Sequence, residues 1–152
     1  PFGFRFLAQD PFQEGRHEGV RFADLATLLA EADALSLHAP STPETRGVIG
    51  AEALARMRPH AVVVNTARGD LIDEAALAAA LSEGRLGAAA LDVFAEEPLP
   101  ADSPLRDAPN LLLTPHAAWY SDAAVARLQA LVAEEIGRAL DGLPPRRPIP
   151  GT

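Results

Sequence analysis

Apolar positions along this chain fall into short solid runs that alternate with stretches of helical spacing. Phe4-Arg5-Phe6-Leu7-Ala8 is predicted to be a strand ending at Gln9-Asp10-Pro11, because Pro11 has no N–H to give a ladder. Phe22, Leu25, Leu28 and Leu29 recur at helical spacing, so a helix is expected over 22–32. Ala34 to His38 reads as a buried strand closed by Pro40 and Pro43, and Gly50 to Met57 as a short helix. Ala61-Val62-Val63-Val64-Asn65 is the clearest strand. A helix over 73–83 follows, with Asp73 as N-cap and Gly84 as C-cap. Ala88 to Val93 and Leu111 to Thr114 are further strands, separated by a loop holding Pro98, Pro100, Pro104 and Pro109. Ser121 to Leu140 is the longest helix, stopped by Asp141-Gly142.

Strand and helix in alternation predict an α/β fold, a doubly wound parallel sheet with helices on both faces. Continuous apolar strands fit a sheet covered on both sides. The expected division is one domain over 1–142 and a Pro/Arg-rich tail over 143–152 that either packs on the domain or frays. No internal repeat or low-complexity segment is visible.

Composition narrows the chemistry. The 152 residues suffice for one domain with a sizeable core. The absence of Cys excludes disulfides, thiolate zinc sites and a thiol nucleophile, and fits a cytoplasmic setting. A net charge of −8 argues against direct nucleic-acid binding, and no apolar run is long enough for a membrane span. All 13 basic residues are Arg, so Schiff-base chemistry on Lys is impossible here. The only Met is Met57 and the sequence opens on Pro1, so it is expected to be a processed chain or part of a longer one.

In doubly wound sheets, ligands bind at the C-terminal ends of the strands. Those ends carry Asp10, His38 with Pro40, Thr66-Ala67-Arg68, Asp92 and, after the last strand, His116. Taken singly, each has a bland reading: Asp10 before Pro11 as a turn residue, His38 or His116 as a surface or satisfied histidine, Arg68-Gly69-Asp70 as a polar loop. Together they suit a 2-oxo acid, which needs a cation for its carboxylate, a proton donor for its carbonyl oxygen and a source of hydride. Arg68 offers the planar fork and His116 the proton. Glu96 or Glu97, in the loop between the strands of Asp92 and His116, is placed to orient the imidazole.

Three blocks in order carry a family resemblance: Asn65-Thr66-Ala67-Arg68-Gly69, Ala89-Ala90-Leu91-Asp92-Val93-Phe94-Ala95-Glu96-Glu97-Pro98, and Leu113-Thr114-Pro115-His116. They resemble the signature blocks of D-isomer-specific 2-hydroxyacid dehydrogenases, and the likeness runs from Asp10-Pro11 to the last helix. The resemblance implies a Rossmann-like NAD-binding domain with Arg68, Glu97 and His116 as the catalytic residues. Glu97 takes the role rather than Glu96, because the family's Glu directly precedes the Pro. It implies Asp10 as the ligand of the adenosine ribose and Asp92 as a neighbour of the nicotinamide. His38, Ala39, Pro40, Thr45, Thr66, Ala67, Arg68 and His116 complete the expected cofactor site.

The expected reaction is the NAD-dependent interconversion of 2-oxo and D-2-hydroxy acids in a cytoplasmic homodimer. His116-Ala117-Ala118-Trp119-Tyr120-Ser121 further resembles the C-terminal binding protein branch. Trp119 there reads either as a wall of the substrate pocket, suiting an apolar substrate tail, or as packing at the start of the last helix. The branch makes an NAD-sensing corepressor module one alternative function, and an inactive truncated remnant is another.

The family's G-x-G-x-x-G turn, which cradles a pyrophosphate at a helix N-terminus, is not among these residues. The family's strand order is 3-2-1-4-5-6, with the first strand central. The Phe4 strand takes second place, and lack of the first is expected to separate the Phe4 and Ala34 strands from the Ala61, Ala88 and Leu111 strands. Such a fragment is expected to bind NAD weakly and not to turn over substrate.

Overall fold

A computed structural model describes residues 3–13 and 17–148, so Pro1, Arg16 and the last four positions of the tail lie outside the described residues. The chain divides into two units, Pro1–His116 and Ala117–Thr152. The first contains β1 (Phe6–Ala8), β2 (Val20–Phe22), α1 (Leu25–Glu31), β3 (Ala34–Leu37), α2 (Ala51–Arg56), β4 (Val62–Asn65), α3 (Glu74–Ser82), β5 (Ala88–Leu91) and β6 (Leu111–Leu113). The second contains α4 (Asp122–Leu140).

All strand pairs are parallel, as the alternation predicts. They form two sheets, β1-β2 and β3-β4-β5-β6. Two expectations are corrected here. The helix expected over 22–32 is a strand followed by a shorter helix. Asp24 accepts the N–H of Thr27 at 2.7 Å, and this cap fixes the first helical turn at Leu25, releasing Val20-Arg21-Phe22 to pair with β1. The Ala34 strand does not sit with the Phe4 strand: Ala34 to Leu37 pair in register with Val62 to Asn65. In the order 3-2-1-4-5-6, β1 and β2 therefore take the second and third places and β3 the fourth. The break falls between β1 and β3; among the described residues neither has a partner on that edge.

Burial corrects the third expectation. Leu35, Leu37, Val63, Asn65, Ala89 and Leu91 are buried, while the residues between them are half-buried or exposed. Side chains alternate across a strand, so among the described residues one face of the sheet is well covered and the other only partly. The covered face packs on Leu28 and Leu29 of α1, Leu54 of α2, and Leu77 and Leu81 of α3 in a single core. Asp73 caps α3 as expected, accepting the Ala76 N–H at 3.0 Å, while the C-cap is Glu83 and the expected Gly84 lies one residue beyond it with φ +67°.

In the second unit, Ser121 caps α4 by accepting the Ala124 N–H. The described part of the tail folds back on α4, with Arg146 paired to Glu134 and Glu135 and Arg138 donating to the Pro144 carbonyl. Among the described residues, no helix is long and apolar enough to cross a membrane.

Candidate functional site

The register of the four-stranded sheet builds the site. Leu37, Asn65, Leu91 and Leu113 stand in one row across β3 to β6. The next residue on each strand is His38, Thr66, Asp92 and Thr114, so four expected or adjoining site positions lie along one sheet edge at intervals of about 4.8 Å.

Arg68 is presented by a turn that Asn65 shapes from below. Asn65 is fully buried at the end of a strand otherwise made of Val. Its Nδ2 donates to the Arg68 carbonyl at 2.8 Å and its Oδ1 accepts the Ala67 N–H at 3.0 Å. Both polar ends are thereby satisfied, as burial requires. The Arg68 side chain is exposed and donates to the Ala67 carbonyl. His38, Ala39, Pro40, Thr66, Ala67 and Arg68 line an open cleft of about 400 Å³. This is the size of a small-ligand site, and the Arg68 guanidinium belongs to its lining.

Two strands on, the His116 ring meets a carboxylate. Nδ1 of His116 lies 2.8 Å from Oε2 of Glu97, with both side chains part-exposed. Of the two loop carboxylates left open by spacing alone, Glu97 is the one bonded to the ring. Its other oxygen accepts the Phe94 N–H at 3.0 Å. The His116 bond first, and the Phe94 N–H second, hold the Glu97 carboxyl below its usual range. His116 has φ +54°, a left-handed conformation rare for a residue with a side chain and concentrated at functional sites. Beside it, Thr114 Oγ1 donates to the buried Asp92 at 2.5 Å, tying the ends of β5 and β6 together.

Three further expected residues make other contacts. Asp10 is exposed beyond β1 in the other sheet, its Oδ1 taken by the Phe12 N–H in a turn. This is the bland role that Asp-Pro suggests, although the carboxylate has a second oxygen. Thr45 is not in the cleft lining; its hydroxyl donates at 2.7 Å to the carbonyl of Pro40, which is. Trp119 belongs to the second unit, where it stacks edge-on against Tyr120 with ring centroids 5.5 Å apart.

Sequence reasoning missed three supports. The sequence marks Asn65 as a strand end and a motif residue without giving it a role, though a lone Asn closing a buried strand signals a polar group that must be satisfied. Thr114 carries no such signal. Asp70 follows Arg68-Gly69 and binds Ser41 Oγ and Arg46 Nε, joining the Arg68 turn to the segment after β3. That link spans 29 positions and leaves no local pattern. No group of three or more metal-ligating side chains is present among the described residues.

The residues fit the nicotinamide end of a dinucleotide. The cleft is open at the strand edge, and a carboxylate-held imidazole and a guanidinium stand at the same edge. Residues 1–118 match the family described as D-isomer specific 2-hydroxyacid dehydrogenase, NAD binding domain. The chain is 46% identical over 150 residues to a D-3-phosphoglycerate dehydrogenase of Synechocystis sp., covering 97% of this chain and 27% of that protein. It is 45% identical over 142 residues to an (S)-sulfolactate dehydrogenase of Chromohalobacter salexigens, covering 91% of this chain and 46% of that protein. The crystal structure of D-lactate dehydrogenase with NAD+ from Lactobacillus jensenii superposes with a TM-score of 0.85 at 32% identity, over 94% of this chain and 47% of that one. The chain thus spans less than half the length of these relatives. By the extent of the family match and the fold it shares with these enzymes, the chain belongs to the D-isomer specific 2-hydroxyacid dehydrogenases, within their NAD-binding domain.

Proposed function

We propose that the protein containing these residues is an NAD-dependent oxidoreductase that interconverts 2-oxo acids and D-2-hydroxy acids. The observation that carries this reading is the Glu97–His116 pair at the same sheet edge as the Arg68 cleft. Arg68 binds the substrate carboxylate through its guanidinium fork and draws electron density from the neighbouring carbonyl. Glu97 holds the ring through Nδ1, so proton delivery to the carbonyl oxygen falls to Nε2 of His116. As the ring gains charge it faces a carboxylate, which stabilises the imidazolium. NAD, when bound, supplies or accepts the hydride at C2. Asp10 would meet the adenosine ribose with its second oxygen, Asp92 would face the nicotinamide, and Trp119 would wall the substrate pocket. Substrate and cofactor are small molecules, the assembly is a homodimer, and the setting is the cytoplasm.

The corepressor alternative rests on the His116-to-Ser121 sextet alone. The test is to express the full-length protein from its gene, incubate it with NADH and a panel of 2-oxo acids, and follow NADH loss and product configuration. Reduction to the D-product that disappears in R68A and H116A supports the reading. An L-product, or turnover that survives both substitutions, defeats it.

A further inference from the structure

Phe94 links Arg68 to the Glu97–His116 pair: two residues, Gly69 and Glu74, meet the Phe94–Ala95 peptide, and Glu97 meets the peptide before it. Gly69, next to Arg68, is buried against the Phe94–Ala95 peptide so closely that a Cβ there would lie 1.9 Å from the Phe94 carbonyl carbon and 2.4 Å from the Ala95 nitrogen. Glu74, in the first turn of α3 and half-buried, accepts the Ala95 N–H on Oε1 at 2.7 Å across 21 positions. Glu97 accepts the neighbouring Phe94 N–H at 3.0 Å with the oxygen that does not face His116. The linkage is continuous: α3 through Glu74 to the peptide, the peptide through Phe94 to Glu97, Glu97 to His116.

We propose that Glu74 is a positioning residue for the reaction, clamping the Phe94–Ala95 peptide against Gly69 so that Glu97 is held on His116 and the imidazole keeps a fixed placement relative to Arg68. An acidic residue at a helix start has an ordinary explanation in the helix dipole. Here Asp73 already caps α3, and the Glu74 carboxylate reaches out of its own helix to a loop N–H. A short charge-assisted bond from a loop amide is the kind of support that keeps a catalytic carboxylate in line. Gly69 supplies the contact from the other side, since any side chain there would push the peptide off.

The inference rests on the dehydrogenase reading, and its test separates the two. The Glu97 side-chain carboxyl is followed by carbon NMR in the full-length protein, its resonance assigned by its loss in E97Q. Three variants are compared: E74A removes the acceptor, E74Q keeps an oxygen acceptor without the charge, and E74D shortens the reach and stands in should E74A fail to fold. The clamp predicts that in E74A or E74D the Glu97 titration moves up toward its usual value near 4.5, because the loop relaxes and the bonds that hold it down weaken. E74Q keeps the wild-type titration. In the same variants, kcat/KM for 2-oxo acid reduction falls about tenfold to a hundredfold in E74A and recovers in E74Q. A role confined to the helix dipole gives equal losses in E74A and E74Q and leaves the Glu97 titration in place; that result overturns the proposal. Should the wild type reduce no 2-oxo acid, the dehydrogenase reading fails, and the Glu97 titration alone still decides the clamp.

Discussion

Asn65 holds the two ends of one tight turn at once, donating to the Arg68 carbonyl at 2.8 Å while accepting the Ala67 N–H at 3.0 Å. In N65A both backbone groups lose their partners beneath a buried strand end. A loss of about 1–3 kcal/mol in unfolding free energy is expected for groups left unsatisfied. N65D keeps the acceptor but turns an oxygen toward the Arg68 carbonyl, so at neutral pH it is expected to be no better than N65A. Urea denaturation checks both, and a rise in KM for the 2-oxo acid checks the link to Arg68.

Gly69 and Gly84 make a matched pair for substitution. G69A places a carbon 1.9 Å from the Phe94 carbonyl carbon, a backbone clash that nothing flexible can relieve. A loss above about 3 kcal/mol, or failure to fold, is expected. G84A meets no neighbour within 4 Å and costs only the left-handed conformation at φ +67°, about 1 kcal/mol. Thermal melts distinguish them, and activity is expected to survive G84A.

The Glu97 carboxyl gives a pH dependence with a definite sign. Its folded value lies below the usual one, chiefly through the His116 bond, so its contribution to stability is full above pH of about 4.5 and is lost as pH falls through the folded value. Asp24, Asp33 and Glu44 are held low as well, by Thr27, His60 and Thr42, so the acid sensitivity is shared. E97Q is expected to flatten the stability curve on the acid side without removing its slope, and chemical denaturation across pH tests this. In kinetics, E97Q is expected to lower kcat/KM for 2-oxo acid reduction, because the ring loses the carboxylate that holds its Nδ1.

Asp10 sets an expectation for cofactor choice. A carboxylate accepts hydrogen bonds from a ribose diol and repels a 2′-phosphate. The full-length protein is expected to show higher kcat/KM with NAD than with its phosphorylated form, and D10A to narrow the difference. Equal use of both by the wild type would count against the role.

What the sequence made legible was periodic or local. The Val run of β4 and the Asp73 cap depend on neighbours within a few residues, and the structure places them within one position of expectation. Val20-Arg21-Phe22 escaped because three residues are too few to show a strand period, and Phe22 also fell in step with Leu25 and Leu29. The place of β3 escaped as a consequence: with Val20-Arg21-Phe22 unread, the Ala34 strand counts as third in the order 3-2-1-4-5-6 and not fourth, which puts it on the wrong side of the break. The candidate site divided in the same way. Arg68, Glu97 and His116 were visible as motif residues, whereas the links from Glu74 and Asp70 span 21 and 29 positions.

The row formed by Leu37, Asn65, Leu91 and Leu113 has a consequence for how such a gene can vary. A strand's side chains alternate between faces, so inserting or deleting one residue inside β3, β4, β5 or β6 turns the rest of that strand over and shifts its final residue out of line. The loops that feed the strands from the opposite edge are under no such rule. Length changes among viable descendants of this chain should therefore collect in those loops and leave the four strands untouched, each strand behaving as a ruler whose zero is fixed by its neighbours.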